Sequence, residues 1–252
     1  MFDARLTPAG LSNADLETLR QFGIKGALVF AANVQRVDDV TPSWDAAREE
    51  RSRLQTLGFD VVTCASVPVV LGGKKGVAAL VAALPKQLGE RGVMALGPLM
   101  LHRGTDDEAE LFLEQLTIAR ELARPVIVSA PIARHDALTA KTLALVHQSK
   151  LKADRVLVDG LTVKTVRSAL ARGHLAGLTL HPDRLDVDLA ERLVHALGPS
   201  RLVLGSGAGD GPSDLLALPR LASRLKLARL SGGVVSRVSG RTIRAFLGLN
   251  PP

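Results

Sequence analysis

The sequence predicts an α/β fold, a single (β/α)8 TIM barrel over residues 1–252 with an extra C-terminal helix. Three observations lead to this prediction. Short apolar runs without alternating polar residues recur along the chain, as in parallel strands that are buried on both faces. A segment with helical spacing of apolar residues follows each run, and this alternation indicates βαβ units. Eight such units in 252 residues match the usual length of one closed barrel.

The individual elements follow from these patterns. We expect strands at residues 1–7, 27–32, 59–65, 92–101, 126–130, 155–159, 175–180 and 201–204. We expect helices at 12–22, 44–57, 76–88, 105–122, 136–149, 162–171, 186–197, from 213 onward, and at 241–247, packed outside or under the barrel. Ser12, Thr105 and Thr162 are predicted N-caps, because a hydroxyl at that position accepts from the first turn. Thr105 and Glu108 also have the spacing of a capping box.

The composition excludes several classes of protein. Hydrophobic residues make up 46% of the chain, so a large core is expected and disorder is not. No apolar run reaches the roughly 18 residues of a membrane span, and the start does not resemble a secretory signal. The one cysteine, Cys64, cannot form an internal disulfide, which favours a cytoplasmic protein.

The net charge of +7 raises the question of an anionic partner. The positive residues are spread along the chain, and there is no Tyr, one Trp and six Phe. Since single-stranded nucleic acid is usually bound by stacked aromatic side chains, the composition does not favour a nucleic-acid partner.

The carboxyl ends of the strands should form the functional face of such a barrel. The residues predicted at these strand ends are Arg5, Thr7, Asn33, Ser66, Pro98, Ser129, Asp159, Gly160, His181, Asp183, Ser206 and Asp210. His102 and Arg103 follow shortly after the fourth strand. A catalytic metal needs about three or more converging histidines and carboxylates. These strand ends provide one histidine, His181, so the residues alone predict no metal cofactor.

The order of these pieces resembles the TatD-like metal-dependent hydrolases, an amidohydrolase-type branch of the TIM barrels. The resemblance covers nearly the whole chain. It rests on Phe2-Asp3-Ala4, Ala95-Leu96-Gly97, Gln115-Leu116 through Ala123, Arg124-Pro125-Val126-Ile127-Val128, Ala176-Gly177-Leu178-Thr179-Leu180-His181-Pro182 and Gly211-Pro212-Ser213-Asp214. It implies a divalent metal and hydrolysis of a phosphoester or of nucleic acid.

The resemblance also implies where the metal ligands would stand, and this chain lacks each of them. The family's two histidines of the first strand correspond to Arg5 and Thr7, and its glutamate of the fourth strand corresponds to Pro98. Its histidines of the fifth and sixth strands correspond to Ser129 and Gly160. Its aspartate of the eighth strand corresponds to Ser206 or Gly207. Pro98 and Gly160 have no side-chain donor, and Arg5 brings a positive charge that repels a cation. We therefore expect the Arg5 side chain to fill the metal position, held by Asp3 or Asp210.

Three functions remain open at this stage. The first is a non-catalytic pseudoenzyme with a structural, partner-binding or regulatory role. The second is a barrel that binds a small anionic or phosphorylated ligand at its mouth; its candidate residues are Asp3, Arg5, Arg103, His181, Ser206 and Asp210, with the glycine-rich segments 206–209 and 72–75. The third is a divalent-metal-dependent hydrolase. The sequence does not identify a protein partner, and it is compatible with a homo-oligomer.

Overall fold

Eight parallel strands form the centre of the molecule and follow one another around it in sequence order. The structure is a computed structural model that describes residues 1–32 and 34–250. The strands are β1 Phe2–Leu6, β2 Gly26–Val29, β3 Asp60–Ala65, β4 Val93–Leu99, β5 Val126–Ser129, β6 Val156–Asp159, β7 Leu175–Thr179 and β8 Leu202–Gly205. Asn33, predicted at the end of the second strand, lies outside the described residues.

The eighth strand returns to the first and closes the ring. The backbone N–H of Gly207 donates to the Arg5 carbonyl at 3.0 Å, and the Thr7 N–H donates to the Ala208 carbonyl at 2.9 Å. A parallel bridge also joins Leu6 to Ala208. The predicted (β/α)8 TIM barrel is therefore confirmed.

Helices follow each strand. They are α1 Asn13–Gln21, α2 Val40–Thr56, α3 Val77–Gly89, α4 Asp106–Glu121, α5 His135–Gln148, α6 Val166–Ala171, α7 Val187–Leu197, α8 Ala217–Leu227, α9 Gly232–Ser236 and α10 Thr242–Phe246. Ser12 caps α1 as predicted, and Asp15 completes a capping box with it. Among the described residues, no helix is both long enough and apolar enough to cross a bilayer.

Some helix starts differ from the prediction. The helix α2 begins at Val40, four residues early, while α6 and α8 each begin four residues late. Before α6, the Thr165 hydroxyl accepts from the Thr162 N–H at 3.1 Å. Before α8, the Ser213 hydroxyl accepts from the Gly209 N–H at 3.0 Å. Such local side-chain bonds offer the backbone an alternative to the first helical turn, so the helices start later.

The capping box predicted at α4 forms only in part. Thr105 accepts from the Glu108 N–H at 3.4 Å, as expected. The Glu108 carboxylate instead accepts from the backbone N–H groups of His102, Arg103 and Gly104. Burial alone would raise the pKa of Glu108, but these hydrogen bonds hold that pKa below its usual range. Glu108 therefore fixes the loop that follows β4 at the barrel mouth.

The core has two parts, which follow from the alternation of side chains along each strand. One part lies between the strands and the surrounding helices. The other fills the barrel lumen with Phe2, Ala4, Leu28, Val62, Cys64, Ala95, Ile127, Leu157, Leu175 and Val203. Membership of the lumen cluster shows which positions of each strand face inward.

The C-terminal segment closes the lower end of the barrel. The helix predicted over 241–247 is present as α10, and the additional helix α9 is joined to it by a wide turn at Arg237–Arg241. The backbone leaves helical geometry at Gly240 within this turn. Ile243, Phe246 and Leu247 then join the lumen cluster. The segment therefore lies under the barrel, one of the two places expected for it.

This packing predicts that Leu247 contributes to stability. Leu247 is 2% exposed, whereas Leu227 on α8 is 82% exposed. Leu247→Ala should lower the free energy of unfolding by about 2–5 kcal/mol, because it removes buried methyl groups and leaves a cavity. Leu227→Ala should change it by less than about 0.5 kcal/mol. Urea unfolding of both variants makes the comparison, and equal losses would contradict the packing described here.

Candidate functional site

A cavity of about 500 Å³ opens at the carboxyl ends of the strands. Of the residues that the sequence placed at this mouth, those in the cavity wall are Arg5, Ser66, Pro98, His102, Ser129, His181, Asp183 and Asp210. Asp3, Thr7, Arg103, Asp159, Gly160 and Ser206 are not part of the wall. Arg184, which sequence reasoning did not select, is part of it.

Arg5 points into the lumen because β1 contains a bulge. Phe2 pairs with Gly26 and Leu6 pairs with Val29, so four steps along β1 oppose three steps along β2. An extra residue in one strand moves the following side chains to the other face. Arg5 therefore faces inward, as Phe2 does. Gly205 leaves room for it, since a Cβ there would lie 2.8 Å from the Arg5 Cβ.

Asp3 holds the bulge and ties β1 to β8. Its Oδ1 accepts from the backbone N–H groups of Arg5, at 3.0 Å, and of Ser206, at 2.9 Å. Its Oδ2 accepts from the Ser206 hydroxyl. Burial raises the pKa of Asp3 to about 6, against the opposing effect of these hydrogen bonds. The Asp3 carboxylate and the Ser206 hydroxyl therefore serve the closure of the barrel, beneath the cavity.

The Arg5 guanidinium lies beside Asp159, the last residue of β6. Its Nη1 is 2.7 Å from Asp159 Oδ2, while its Nη2 is 3.8 Å from Asp210 Oδ2. Thr179 donates a second hydrogen bond to Asp159 at 2.7 Å. Burial alone would raise the pKa of Asp159, but Arg5 and Thr179 hold that pKa below its usual range. The main partner of Arg5 is thus Asp159, and not Asp3 or Asp210 as the sequence suggested.

Arg184 brings a second guanidinium to the mouth. Its Nη1 donates to the carbonyls of Ala130, at 2.6 Å, and Gly160, at 2.8 Å. A Cβ on Gly160 would lie 2.5 Å from this Nη1, so the guanidinium fills the space of a side chain at position 160. Arg184 follows His181-Pro182-Asp183 in the loop after β7. Its position in the sequence identifies it as a cation in a loop. The sequence does not show that its side chain reaches the ends of β5 and β6.

The two arginines do not fit the divalent metal that the sequence resemblance implies. A guanidinium carries only donors and cannot coordinate a cation. His181 has both ring nitrogens engaged, because Nδ1 accepts from the Asp183 N–H and Nε2 donates to the Asp210 carbonyl. Within residues 1–32 and 34–250, no group of three or more His, Cys, Asp or Glu side chains is placed to hold a metal ion.

Ser129 ends β5 on the face that looks into the lumen, two residues after Ile127 of the lumen cluster. It is 3% exposed. Its hydroxyl has no hydrogen-bond partner among the described residues. A buried hydroxyl without a partner is unfavourable by about 1–3 kcal/mol. The cavity wall therefore contains an unsatisfied polar group as well as two cationic side chains.

The glycine-rich segment 206–209 has its backbone N–H groups engaged, and the segment 72–75 is not part of the cavity wall. In 206–209, the N–H of Gly207 donates to Arg5, that of Ala208 to the Ser206 hydroxyl, and that of Gly209 to Ser213. In 72–75, a Cβ on Gly73 would lie 2.7 Å from the Asp107 carboxylate. Arg103 is largely exposed and pairs with Glu108 at 3.5 Å. These contacts leave Arg5 and Arg184 as the cations of the cavity.

The chain is related to proteins of known fold. It is 28% identical over 233 residues to an uncharacterized metal-dependent hydrolase of Methanocaldococcus jannaschii, across 90% of this chain and 91% of that protein. The TatD-like protein of Archaeoglobus fulgidus superposes with a TM-score of 0.81 at 22% identity, over 99% of this chain and all of that one. The chain therefore has a metal-dependent hydrolase among its relatives, and it shares its fold with a TatD-like protein. No family model matches it.

The same fold is shared more widely. The phosphotriesterase homology protein of Escherichia coli, solved with phosphate in its active site, has a TM-score of 0.70 at 14% identity, over 98% of this chain and 97% of that one. At such identity the likeness concerns the fold alone. The resemblance read from the sequence is confirmed, because one relative is a metal-dependent hydrolase and a TatD-like protein has the same barrel.

The raised pKa of Asp3 predicts that the free energy of unfolding depends on pH. Its pKa is about 6 in the folded chain, against an ordinary value of 3.8. Folding therefore favours the neutral carboxyl, whose stabilisation is fully present below pH 3.8 and is lost as the pH rises through about 6. The difference corresponds to roughly 3 kcal/mol.

Urea unfolding from pH 3.5 to 7.5, with Asp3→Asn as the reference, measures this effect. The stability of the native chain relative to the variant should fall across that window, because asparagine cannot ionise. Because both proteins contain the other carboxyl groups, the comparison cancels their contributions to the pH dependence. These include Asp159, whose lowered pKa acts in the opposite direction. A constant difference between the two proteins would contradict the assignment to Asp3.

Proposed function

We propose that this TatD-like barrel is a binding or regulatory protein that does not catalyse metal-dependent hydrolysis. The observation that supports the proposal is the ion pair between Arg5 and Asp159 inside the barrel mouth. The resemblance assigns the position of Arg5 to a histidine ligand. Here a cation takes that place, and the Asp159 carboxylate buried beside it is already neutralised.

Electrostatics makes this arrangement unfavourable for a divalent ion. A +2 ion and a guanidinium about 4 Å apart repel each other by roughly 8 kcal/mol at an effective dielectric constant of about 20. Moving Arg5 away would relieve the repulsion, but it would break a pair in which Asp159 is 7% exposed. Separating a buried ion pair is itself strongly unfavourable.

The second candidate is a divalent-metal-dependent hydrolase of phosphoesters or nucleic acid. It is favoured by the name of the Methanocaldococcus jannaschii relative, a metal-dependent hydrolase. This function would require Arg5 to leave Asp159. The carboxylates of Asp159 and Asp210 would then be the nearest donors in the mouth.

Metal binding separates the two candidates. The purified chain, dialysed against EDTA and then titrated with Mn²⁺ or Zn²⁺ in a calorimeter, should show no stoichiometric binding, because its donors are engaged. Hydrolysis of bis(p-nitrophenyl) phosphate should stay at the uncatalysed rate with either ion. Binding of an ion together with EDTA-sensitive hydrolysis that is lost in Asp159→Asn would establish the hydrolase and overturn the proposal.

A further inference from the structure

We propose that the mouth cavity binds a small organic anion. Its oxyanion group, a carboxylate or a phosphate, is held by the Arg184 guanidinium and the Ser129 hydroxyl, and its apolar part lies against Met100 and Ile132. The inference rests on the proposed function, since it requires a mouth that holds no metal ion.

Arg184 is the cation that remains for a ligand. Arg5 is neutralised by Asp159 at 2.7 Å. Within residues 1–32 and 34–250, no carboxylate lies within 4 Å of the Arg184 guanidinium, which donates through Nη1 to two carbonyl oxygens. Burial lowers the pKa of Arg184, so an added negative charge beside it would be stabilising. The planar guanidinium suits an oxyanion, which can accept two parallel hydrogen bonds from it.

Ser129 supplies the second contact. Its hydroxyl is buried without a hydrogen-bond partner in the described part of the chain. It ends β5 on the lumen side, and Arg184 Nη1 reaches the carbonyl of the very next residue, Ala130, at 2.6 Å. Both residues line the same cavity. One ligand oxygen beside the guanidinium could therefore also accept the hydrogen bond that this hydroxyl does not make within the protein.

The rest of the wall limits the size and character of the ligand. The apolar residues that line the cavity of about 500 Å³ include Val69, Pro98, Met100, Pro131, Ile132 and Pro212. Ile132 is 60% exposed at the rim, where an apolar ligand group would cover it. A cavity of this volume and lining matches small-molecule sites, which combine apolar walls with a few polar groups.

The rim also carries negative charge, which restricts where the anion sits. Asp183 and Asp210 line the cavity, and their side chains are 59% and 56% exposed. Exposed carboxylates are screened by solvent and salt, so their repulsion is weak. Asp210 lies 3.8 Å from Arg5. The anion is therefore expected at Arg184 and Ser129, on the β5 side of the mouth.

Calorimetric titration of the EDTA-treated chain with phenyl phosphate, benzoate and inorganic phosphate tests the proposal. At least one of the two aromatic anions should bind saturably and more tightly than inorganic phosphate, which lacks the apolar group. Arg184→Gln should weaken that binding about ten- to hundredfold, and Ser129→Ala about tenfold, because each removes a hydrogen bond to a charged group. Arg103→Gln is the matched control, and it should leave the affinity unchanged.

The outcomes are distinct. A preference for phenyl phosphate or for benzoate supports the site and identifies the oxyanion. Absence of saturable binding by all three probes, or equal affinity in Arg184→Gln and Arg103→Gln, overturns this inference and leaves the metal-free function standing. Binding that appears only after a divalent ion is added overturns both. Should Arg184→Gln fail to fold, Ser129→Ala, which removes one hydroxyl, still gives the test, and unchanged affinity there overturns the site.

Discussion

The arrangement of the barrel mouth depends on the ion pair between Arg5 and Asp159. The pair crosses the lumen from β1 to β6 and is possible only because the bulge in β1 turns Arg5 inward. The bulge is held in turn by Asp3, whose carboxylate accepts from the Arg5 N–H and from Ser206, the residue that follows β8. One chain of contacts therefore links closure of the barrel to the charge at its mouth.

The same pair compensates the charge that is buried at the barrel mouth. A set of buried histidines and carboxylates without its cation would be costly, because buried charges need partners. The positions that the sequence resemblance assigns to metal ligands carry small or apolar residues, as at Pro98, Ser129 and Gly160, or they form the pair itself. Asp159 accepts hydrogen bonds from both Arg5 and Thr179, so its negative charge is compensated. A cavity lies at this mouth, and Arg184 forms part of its wall.

The sequence was sufficient for the barrel and for its strand ends, but not for the contacts between them. Apolar runs define buried strands whatever their partners, so the eight strands and the cap at Ser12 could be predicted. The partner of Arg5 could not, because the one-residue bulge in β1 and the distance to Asp159 are tertiary properties. Arg184 was missed for the same reason, since a loop arginine gives no sign that it reaches the ends of β5 and β6. The late starts of α6 and α8 depend on hydroxyl bonds that compete with capping.

A double-mutant cycle on Arg5 and Asp159 tests the central claim most directly. Each of Arg5→Gln and Asp159→Asn should lower the free energy of unfolding by about 3–5 kcal/mol, because each leaves a buried group without its partner. The double variant should lose clearly less than the sum, with a coupling of about 1–3 kcal/mol. The cycle of Arg5→Gln with Asp210→Asn, whose carboxylate is 56% exposed and 3.8 Å away, should be nearly additive. Additive losses for Arg5 and Asp159 would contradict the view that this pair has replaced the metal.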